Sequence, residues 1–513
     1  MTEAAGAPAS PARARAITAA AILATVIQTL DSTIANVALP KMQGAMGATQ
    51  EQISWVLTSY IVATAVCMPL TGWLAGRFGR KRIFVLSVVG FTLASMACGA
   101  AQSLEQIVVF RLLQGAFGAP LVPLSQAVLL DTWPRHRHNA AMAVWGIGVM
   151  VGPIIGPTLG GWLTEHYDWR WVFYINLPVG IVTTFGLLAW LPASAPERGR
   201  RFDAMGFAFL AIGLGTLQLM LDRGTTLDWF ASTEIVVEAA IAALGLYLFV
   251  VHMLTHPRPF IEPALFADRS FTTGLALMFM VGMVLLATMA LLPPFLQNLL
   301  GYPVVDVGMA LAPRGVGTMA AMMLIGRIGG VIDPRAAVLA GLAITAAALH
   351  AMTAFGPDTR YATIVWTGLA QGFGLGLIFP PLTAIAFASL APALRNDGTA
   401  LFSLMRNIGS SIGISLVVSV LARNTQANHE ALSAWIDPTR LPLRLALESG
   451  ALALDTPEGL AAVEAMLARQ ASLIAYLQDF RLMAWICVAA MPLVLLLRRP
   501  HAAHRPAPGG ARG

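Results

Sequence analysis

The sequence predicts an all-α integral membrane protein of about fourteen transmembrane helices, with two pseudo-symmetric six-helix halves and a central pair between them. Composition is the first reason. Of 513 residues, 57% are hydrophobic and 11% charged, and mean hydropathy is +0.71, whereas soluble domains carry about 25% charged residues. The second reason is a succession of apolar runs, each about 20 residues and so long enough to span a bilayer. The third is an internal repeat. An offset of 257 pairs Gln114 with Gln371, Gly115 with Gly372, Pro123 with Pro380, Asn139 with Asn396, Gly152 with Gly409 and Gly156 with Gly413. An offset of 254 pairs Pro40 with Pro294, Gly72 with Gly326 and Gly76 with Gly330. Parallel half-repeats around a central pathway are a transporter architecture.

In chain order the runs predict spans over 16–39, 53–75, 83–102, 105–130, 139–163, 171–191, 203–222, 232–254, 270–297, 305–328, 336–356, 361–390, 399–422 and 481–498. The seventh and eighth have the weakest pattern, because Glu238 interrupts one and 222–230 is polar. The organisation expected is a tail (1–15), a six-helix bundle (16–194), two linker helices (195–265), a second bundle (266–499) and a final tail (500–513). The second bundle includes a long loop over 423–480, in which Leu460 to Arg469 suits a short amphipathic helix. Of the 32 Lys and Arg residues, 20 fall on the side of the N-terminus, 10 on the other, and two, Arg111 and Arg406, inside spans. That bias places both termini in the cytoplasm.

Composition also excludes. Cys67, Cys98 and Cys487 all lie in apolar runs, so neither a disulfide framework nor a metal site is expected. The basic residues sit in short loops between spans, so the net charge of +6 does not imply nucleic acid. Met1 to Ala16 is rich in Ala, Pro and Arg and leads into a full span, so no cleavable signal is expected. No phosphate loop of the G-x-x-x-x-G-K-[ST] type occurs, and neither H-E-x-x-H nor G-x-S-x-G does, so neither an ATP-driven pump nor a membrane hydrolase is expected.

Asp31 is the most informative single residue, an acid within the first apolar run. A charge at that depth costs about 2.5–3.5 kcal/mol on insertion scales and marks a functional site by default. On a helical wheel Gln28, Thr29, Asp31, Ser32, Thr33 and Asn36 share one arc, and Leu23, Val26, Ile27, Leu30, Ile34 and Val37 fill the other. The expectation is polar side inward, apolar side to lipid. Arg111, inside the fourth run, is the natural counter-charge. Two readings stay open: a static pair that positions two helices, and a pair that parts during transport as Asp31 takes a proton. Arg406 and Asn407 in the thirteenth run are read as either a structural pair or a substrate contact.

Four stretches together resemble the major facilitator superfamily, and more narrowly its fourteen-span drug:proton antiporters of the EmrB/QacA type. They are Leu30 to Pro40, Gly72 to Arg82, Arg111 to Gly118, and Gly146 to Gly161, the antiporter motif; Trp169 to Gly180 then matches the start of the sixth helix. The resemblance implies the major facilitator fold and, in place of an enzyme, a proton-coupled secondary exporter of hydrophobic or amphipathic compounds in a bacterial cytoplasmic membrane. It needs no cofactor beyond the coupling protons. Export of one specific metabolite or siderophore is the rival within the class, and a non-transporting sensor or scaffold the rival outside it. Asp31 and Arg111 are the implied coupling residues. Gln28, Asn36, Gln114, Gln371, Arg406 and Asn407 are candidates for the substrate pathway.

In the antiporter motif, Gly148, Gly152, Pro153, Gly156, Pro157, Gly160 and Gly161 make a small-residue ridge that lets helices approach closely. The resemblance adds a pivot. In the loop motif, Gly72, Arg77, Gly79, Arg80, Lys81 and Arg82 anchor topology and, by resemblance, gate. Gly76 stands where the superfamily usually has an acid, which removes the usual charge lock. Relatives in double-membraned bacteria work with a periplasmic adaptor and an outer-membrane channel, and loop 423–480 is the contact expected here.

Overall fold

The computed structural model describes residues 10–194, 201–329, 332–436 and 456–498, and in these every regular element is a helix. Residues 1–9, 195–200, 330–331, 437–455 and 499–513 lie outside that set, and with them Gly330 of the repeat, most of the link's start, part of the expected loop and the final tail. Helix α1 (Pro11–Met46) starts where the Ser10 side chain accepts from the Arg13 amide, with Pro11 in the first turn. It ends at Gly47, whose φ of 59° closes the last carbonyls as a left-handed cap. Helix α2 is bent by 57° between Gln50–Cys67 and Leu70–Phe78. Then follow α3 (Arg80–Ala100), α4 (Leu104–Thr132), α5 (His138–His166), α6 (Trp171–Trp190), α7 (Ala204–Arg223) and α8 (Thr233–Thr255). The rest are α9 (Arg269–Leu299), α10 (Val304–Ile328), α11 (Pro334–Met352), α12 (Tyr361–Ala388), α13 (Arg395–Ser433) and α14 (Pro457–Val494). Thirteen of these are long and apolar enough to cross a membrane as they stand, and bent α2 is the fourteenth.

The widest departure from the sequence reading is at 423–480. In place of a loop, α13 and α14 run on through it as helix, up to Ser433 and from Pro457. Leu460 to Arg469 is part of α14. The two extensions are tied side by side: Asn428 Nδ2 donates to Ala471 O at 3.3 Å, and His429 meets Glu464 at 2.8 Å. Charged residues end a hydropathy window but not a helix, so the apolar pattern marked where the span stops and missed that the helix continues.

Corresponding helices pair in both halves: α1 with α5 and α6, α2 with α4, and α3 with α4 and α6, against α9 with α13 and α14, α10 with α12, and α11 with α12 and α14. The repeat reaches single hydrogen bonds. Thr64 donates to Gly115 O at 3.3 Å, and Thr318, 254 residues later, donates to Gly372 O at 3.0 Å. A Cβ on Gly115 would lie 2.5 Å from Tyr60 O, and one on Gly372 1.9 Å from Arg314 O. Only glycine permits either approach. The central pair is peripheral: the Thr58 hydroxyl donates to the Asp222 carboxylate and Ser415 donates to Leu221 O at 3.0 Å, so α7 lies against α2 and α13, with α8 outside it.

The end of the bundle that holds Ser10 and the α2–α3 turn is the near face, the opposite end the far face. Hydrogen bonds between the halves gather toward the near face. Asn139 Nδ2 donates to Gly329 O at 2.9 Å, Arg80 Nε to Asn396 Oδ1 at 3.0 Å, and Arg395 to the Asp131 carboxylate. Ser403 with Gln126 and Asn407 with Met68 lie along the same seam. Asn139 and Asn396 are a repeat pair, and each crosses to the other half. The halves are thus closed against each other at the near face.

Candidate coupling site and near-face lock

Asp31, in the middle of α1, and Arg111, on α4, are both 0% exposed. Arg111 Nη1 donates to Asp31 Oδ2 at 2.6 Å. The other carboxylate oxygen accepts from Gln114 Nε2 at 2.8 Å and from Asn176 Nδ2 at 2.9 Å. Gln114 is one turn from Arg111, which puts both on one face of α4, and its own carbonyl accepts from Arg111 Nη1 at 2.8 Å. Arg111 Nε donates to Val56 O at 3.1 Å, and the guanidinium carbon sits 4.2 Å from the Tyr60 ring centroid, a cation–π contact. Asn176 also donates to Ser95 Oγ at 2.9 Å. One buried cluster therefore joins α1, α2, α3, α4 and α6.

Three donors and no acceptor face Asp31, an arrangement that fits a carboxylate. Three other polar atoms at the cluster, Arg111 Nη2, Gln28 Oε1 and Tyr60 Oη, are buried with no hydrogen-bond partner among the described residues. That is spare hydrogen-bonding capacity next to the ion pair.

The helical wheel for α1 needs correction. Ile27, Leu30 and Ile34, expected to face lipid, are buried, and Asn36 is exposed. Helices surround α1, so its apolar side packs against protein and its polar side divides. Asp31 and Gln28 turn into the first half, while Thr29 and Thr33 meet the antiporter ridge of α5. A Cβ on Gly152 would lie 2.7 Å from Leu30 N, one on Gly156 2.2 Å from Thr33 Oγ1, one on Gly148 2.3 Å from Ile22, and one on Gly160 2.7 Å from Ile34. Gly161 has 4.0 Å to spare. Pro153 and Pro157 lie within α5, which runs unbroken from His138 to His166. The ridge thus clamps the stretch of α1 that carries Asp31. Gly409 and Gly413 of α13 make the same approach to α9, at 2.1 Å from Phe279 O and 2.5 Å from Met283 O.

The other pathway candidates do not gather in one place. Gln114 belongs to the Asp31 cluster. Gln371 is its buried counterpart in the second half, where it meets Thr288 at 2.9 Å, a hydroxyl in place of a carboxylate. Arg406 and Asn407 are half-buried on α13, and no hydrogen bond to the Arg406 side chain is found among the described residues. Sequence reasoning missed Arg314, a third cation inside a span, whose Nη2 donates to Leu285 O at 3.0 Å. Leu285 is the residue 254 beyond Asp31, so in register a backbone carbonyl stands where the first half has an acid. It also missed Asp479 of α14, fully buried with neither carboxylate oxygen hydrogen-bonded among the described residues. Both signals were present as charges, one inside an apolar run and one hidden by the assignment of 423–480 to a loop.

At the near face a charge lock exists despite Gly76. Asp131, at the end of α4, takes Arg80 from its own half and Arg395 from the other. Gly79, at φ 91°, turns the chain so that Arg80 points along this seam; the Arg80 amide donates to Ser194 Oγ at 2.7 Å, and Lys81 Nζ to Leu188 O at 2.7 Å. Arg77 and Arg82 are exposed. At Gly72 the halves also touch closely, a Cβ there falling 1.7 Å from Asp397 Oδ1. Partly exposed pairs contribute about 0.2–1 kcal/mol each. We expect Asp131→Asn to open the near face about 2- to 5-fold more often, a shift of that size. The measurement is the rate at which a thiol reagent modifies Ser403→Cys in a cysteine-free background. An unchanged rate would show that the seam does not hold the halves.

The major facilitator superfamily profile matches residues 21–414. The chain belongs to the major facilitator superfamily. As a superfamily member it is a multi-pass membrane protein of a transporter family. Among curated relatives, it is 38% identical to the multidrug export protein EmrB of Escherichia coli K12, over 82% of this chain and 83% of that one. It is 38% identical to the fatty acid resistance protein FarB of Neisseria gonorrhoeae, over 81% and 82%. The multidrug resistance protein B homolog of Mycobacterium tuberculosis H37Rv is 32% identical, over 95% and 90%. Two solved superfamily-like structures share the fold: the human organic anion transporter MFSD10 (TM-score 0.61, 14% identity, covering 94% of this chain and 99% of that one) and the proton:xylose symporter XylE (TM-score 0.60, 12%, covering 92% and 95%).

Proposed function

We propose that this superfamily member is a proton-coupled exporter of small hydrophobic or amphipathic compounds, working by alternating access in a bacterial inner membrane with both termini cytoplasmic. The observation that carries it is the Asp31 cluster: an acid wholly inside the first bundle, faced only by donors and paired to a cation on another helix. A proton on Asp31 would take the acceptor position of Oδ2 that Arg111 Nη1 leaves free and would remove the negative charge that holds the guanidinium, so protonation weakens the ion pair. Proton arrival thus releases Arg111 and proton loss recaptures it, changing how α1 is held against α4 and α6. The ridge of α5 grips α1 on the other side of that contact, and α5 also packs on α10 and α12 of the second half. A local charge change therefore has a mechanical route to the interface between halves.

The names of the EmrB-type relatives support export of diverse compounds. The Lys and Arg bias supports a cytoplasmic near face, so the arrangement described is closed toward the cytoplasm. One inward proton supplies about 2.3 kcal/mol per 100 mV of membrane potential. The paired extensions of α13 and α14 stand at the far face, and we propose them as the contact for a periplasmic adaptor that passes substrate to an outer-membrane channel. The test is efflux from everted vesicles across a panel of hydrophobic dyes and amphipathic acids with the proton gradient imposed or collapsed. Gradient-dependent transport of several unrelated compounds is expected. Transport of a single compound would replace multidrug export with a narrow exporter, and no proton-dependent flux with any would overturn the reading.

A further inference from the structure

We propose that Asp203, His252 and His256 form a binding site for one divalent transition-metal cation of the zinc type, at the near end of the central pair. Asp203 is the N-cap of α7, His252 lies in the last turn of α8, and His256 follows that helix directly. One ligand atom from each lies within 4.8 Å of the others. Two imidazoles and a carboxylate are a donor set for zinc-like ions, with a water completing a tetrahedron.

The carboxylate is already fixed in place. Asp203 Oδ1 accepts from the Gly206 amide at 2.9 Å and Oδ2 from the Phe260 amide at 2.9 Å. A carboxylate has about four acceptor positions, so each oxygen keeps one to spare. Both face His252 Nε2, at 3.0 Å. The hydrogen bond between them places one proton between His252 Nε2 and the carboxylate. Ligand atoms about 2.0–2.1 Å from a tetrahedral zinc lie about 3.3 Å apart. The 3.0 Å from His252 to Asp203 is therefore close to one edge of such a site, with the ion taking the proton's place and the proton passing to solvent. His252 and His256 are stacked with centroids 4.7 Å apart and planes 16° from parallel. His256 is exposed and free to turn its ring toward the ion.

The position has a mechanical meaning. Phe202, Phe207 and Phe260 pack around the carboxylate's own turn, and Phe202 meets Trp73 of α2 with ring centroids 4.7 Å apart and planes tilted by 53°. An ion here would pin the start of α7, the end of α8 and the strand of chain that leads to α9. It would brace the only covalent connection between the halves without touching the Asp31 cluster.

The experiment is zinc titration of the full-length protein in detergent with its affinity tag removed, read by calorimetry and by metal content after desalting. One equivalent is expected, with a rise in melting temperature on zinc addition. His256→Ala and His256→Gln, at an exposed position, should melt normally without zinc. They should bind it at least about tenfold more weakly, the loss that even outer-shell changes produce, and lose the zinc-dependent rise. A variant with both tail histidines replaced, His501→Ala and His504→Ala, should bind like wild type. Absence of stoichiometric zinc, or equal binding by the wild type and both His256 variants, would overturn the site. Neither result depends on transport, so this proposal and proton-coupled export fail separately.

Discussion

Replacing Arg111 with Met is expected to destabilise the protein by about 3–5 kcal/mol, the usual consequence of leaving one member of a buried ion pair alone. Asp31 would retain Gln114 and Asn176 as donors, at 2.8 and 2.9 Å, but lose its only counter-charge. Neutralising both, as Asp31→Asn with Arg111→Met, should recover most of that loss, because the cost lies in the uncompensated charge and not in the missing contact. Thermal unfolding of the two variants in the same detergent measures the difference. A single variant as stable as the wild type, or a double variant worse than the single, would contradict the pairing described.

The second large effect is expected at Gly152. A methyl group there lies 2.5 Å from Thr29 Oγ1, 2.6 Å from Thr29 C and 2.7 Å from Leu30 N. Two of those are backbone atoms and have no rotamer to escape into, so α1 and α5 must separate. Overpacking of this kind costs about 1–3 kcal/mol, and it displaces the residue next to Asp31. Gly152→Ala should therefore lose efflux more completely than it loses stability. Gly161→Ala, where the nearest atom is 4.0 Å away, should lose neither. Equal efflux in the two variants would remove the ridge from the coupling mechanism.

The parts of this molecule legible in the sequence were those written in charge and in spacing. Asp31 and Arg111 stood out because ions are scarce in apolar runs, and Gln114 follows Arg111 by one turn. The repeat offsets of 254 and 257 reappear as the matched bonds of Thr64 and Thr318. What stayed hidden depended on which distant segments meet. Asn176 reaches Asp31 from 145 positions away, inside a stretch quoted only as the start of the sixth helix. Gly76 is not an acid, yet Asp131 at the end of α4 and Arg395 at the start of α13, helix ends that carry no motif of their own, complete the lock. A wheel assigns a polar face to a helix but not the number of neighbours around it, and α1 has neighbours on every side near Asp31. Hydropathy likewise marks where lipid ends, so it could not foresee α13 and α14 continuing as helix beyond it.

Proton coupling through Asp31 is tested most directly in proteoliposomes, with wild type and Asp31→Asn at matched protein content and an imposed pH gradient. Wild type should accumulate a transported dye against its gradient while the pH difference dissipates. Asp31→Asn should bind and exchange dye at equilibrium but neither accumulate it nor draw down the pH difference. Dye accumulation by Asp31→Asn at the wild-type rate, with the same proton movement, would contradict it.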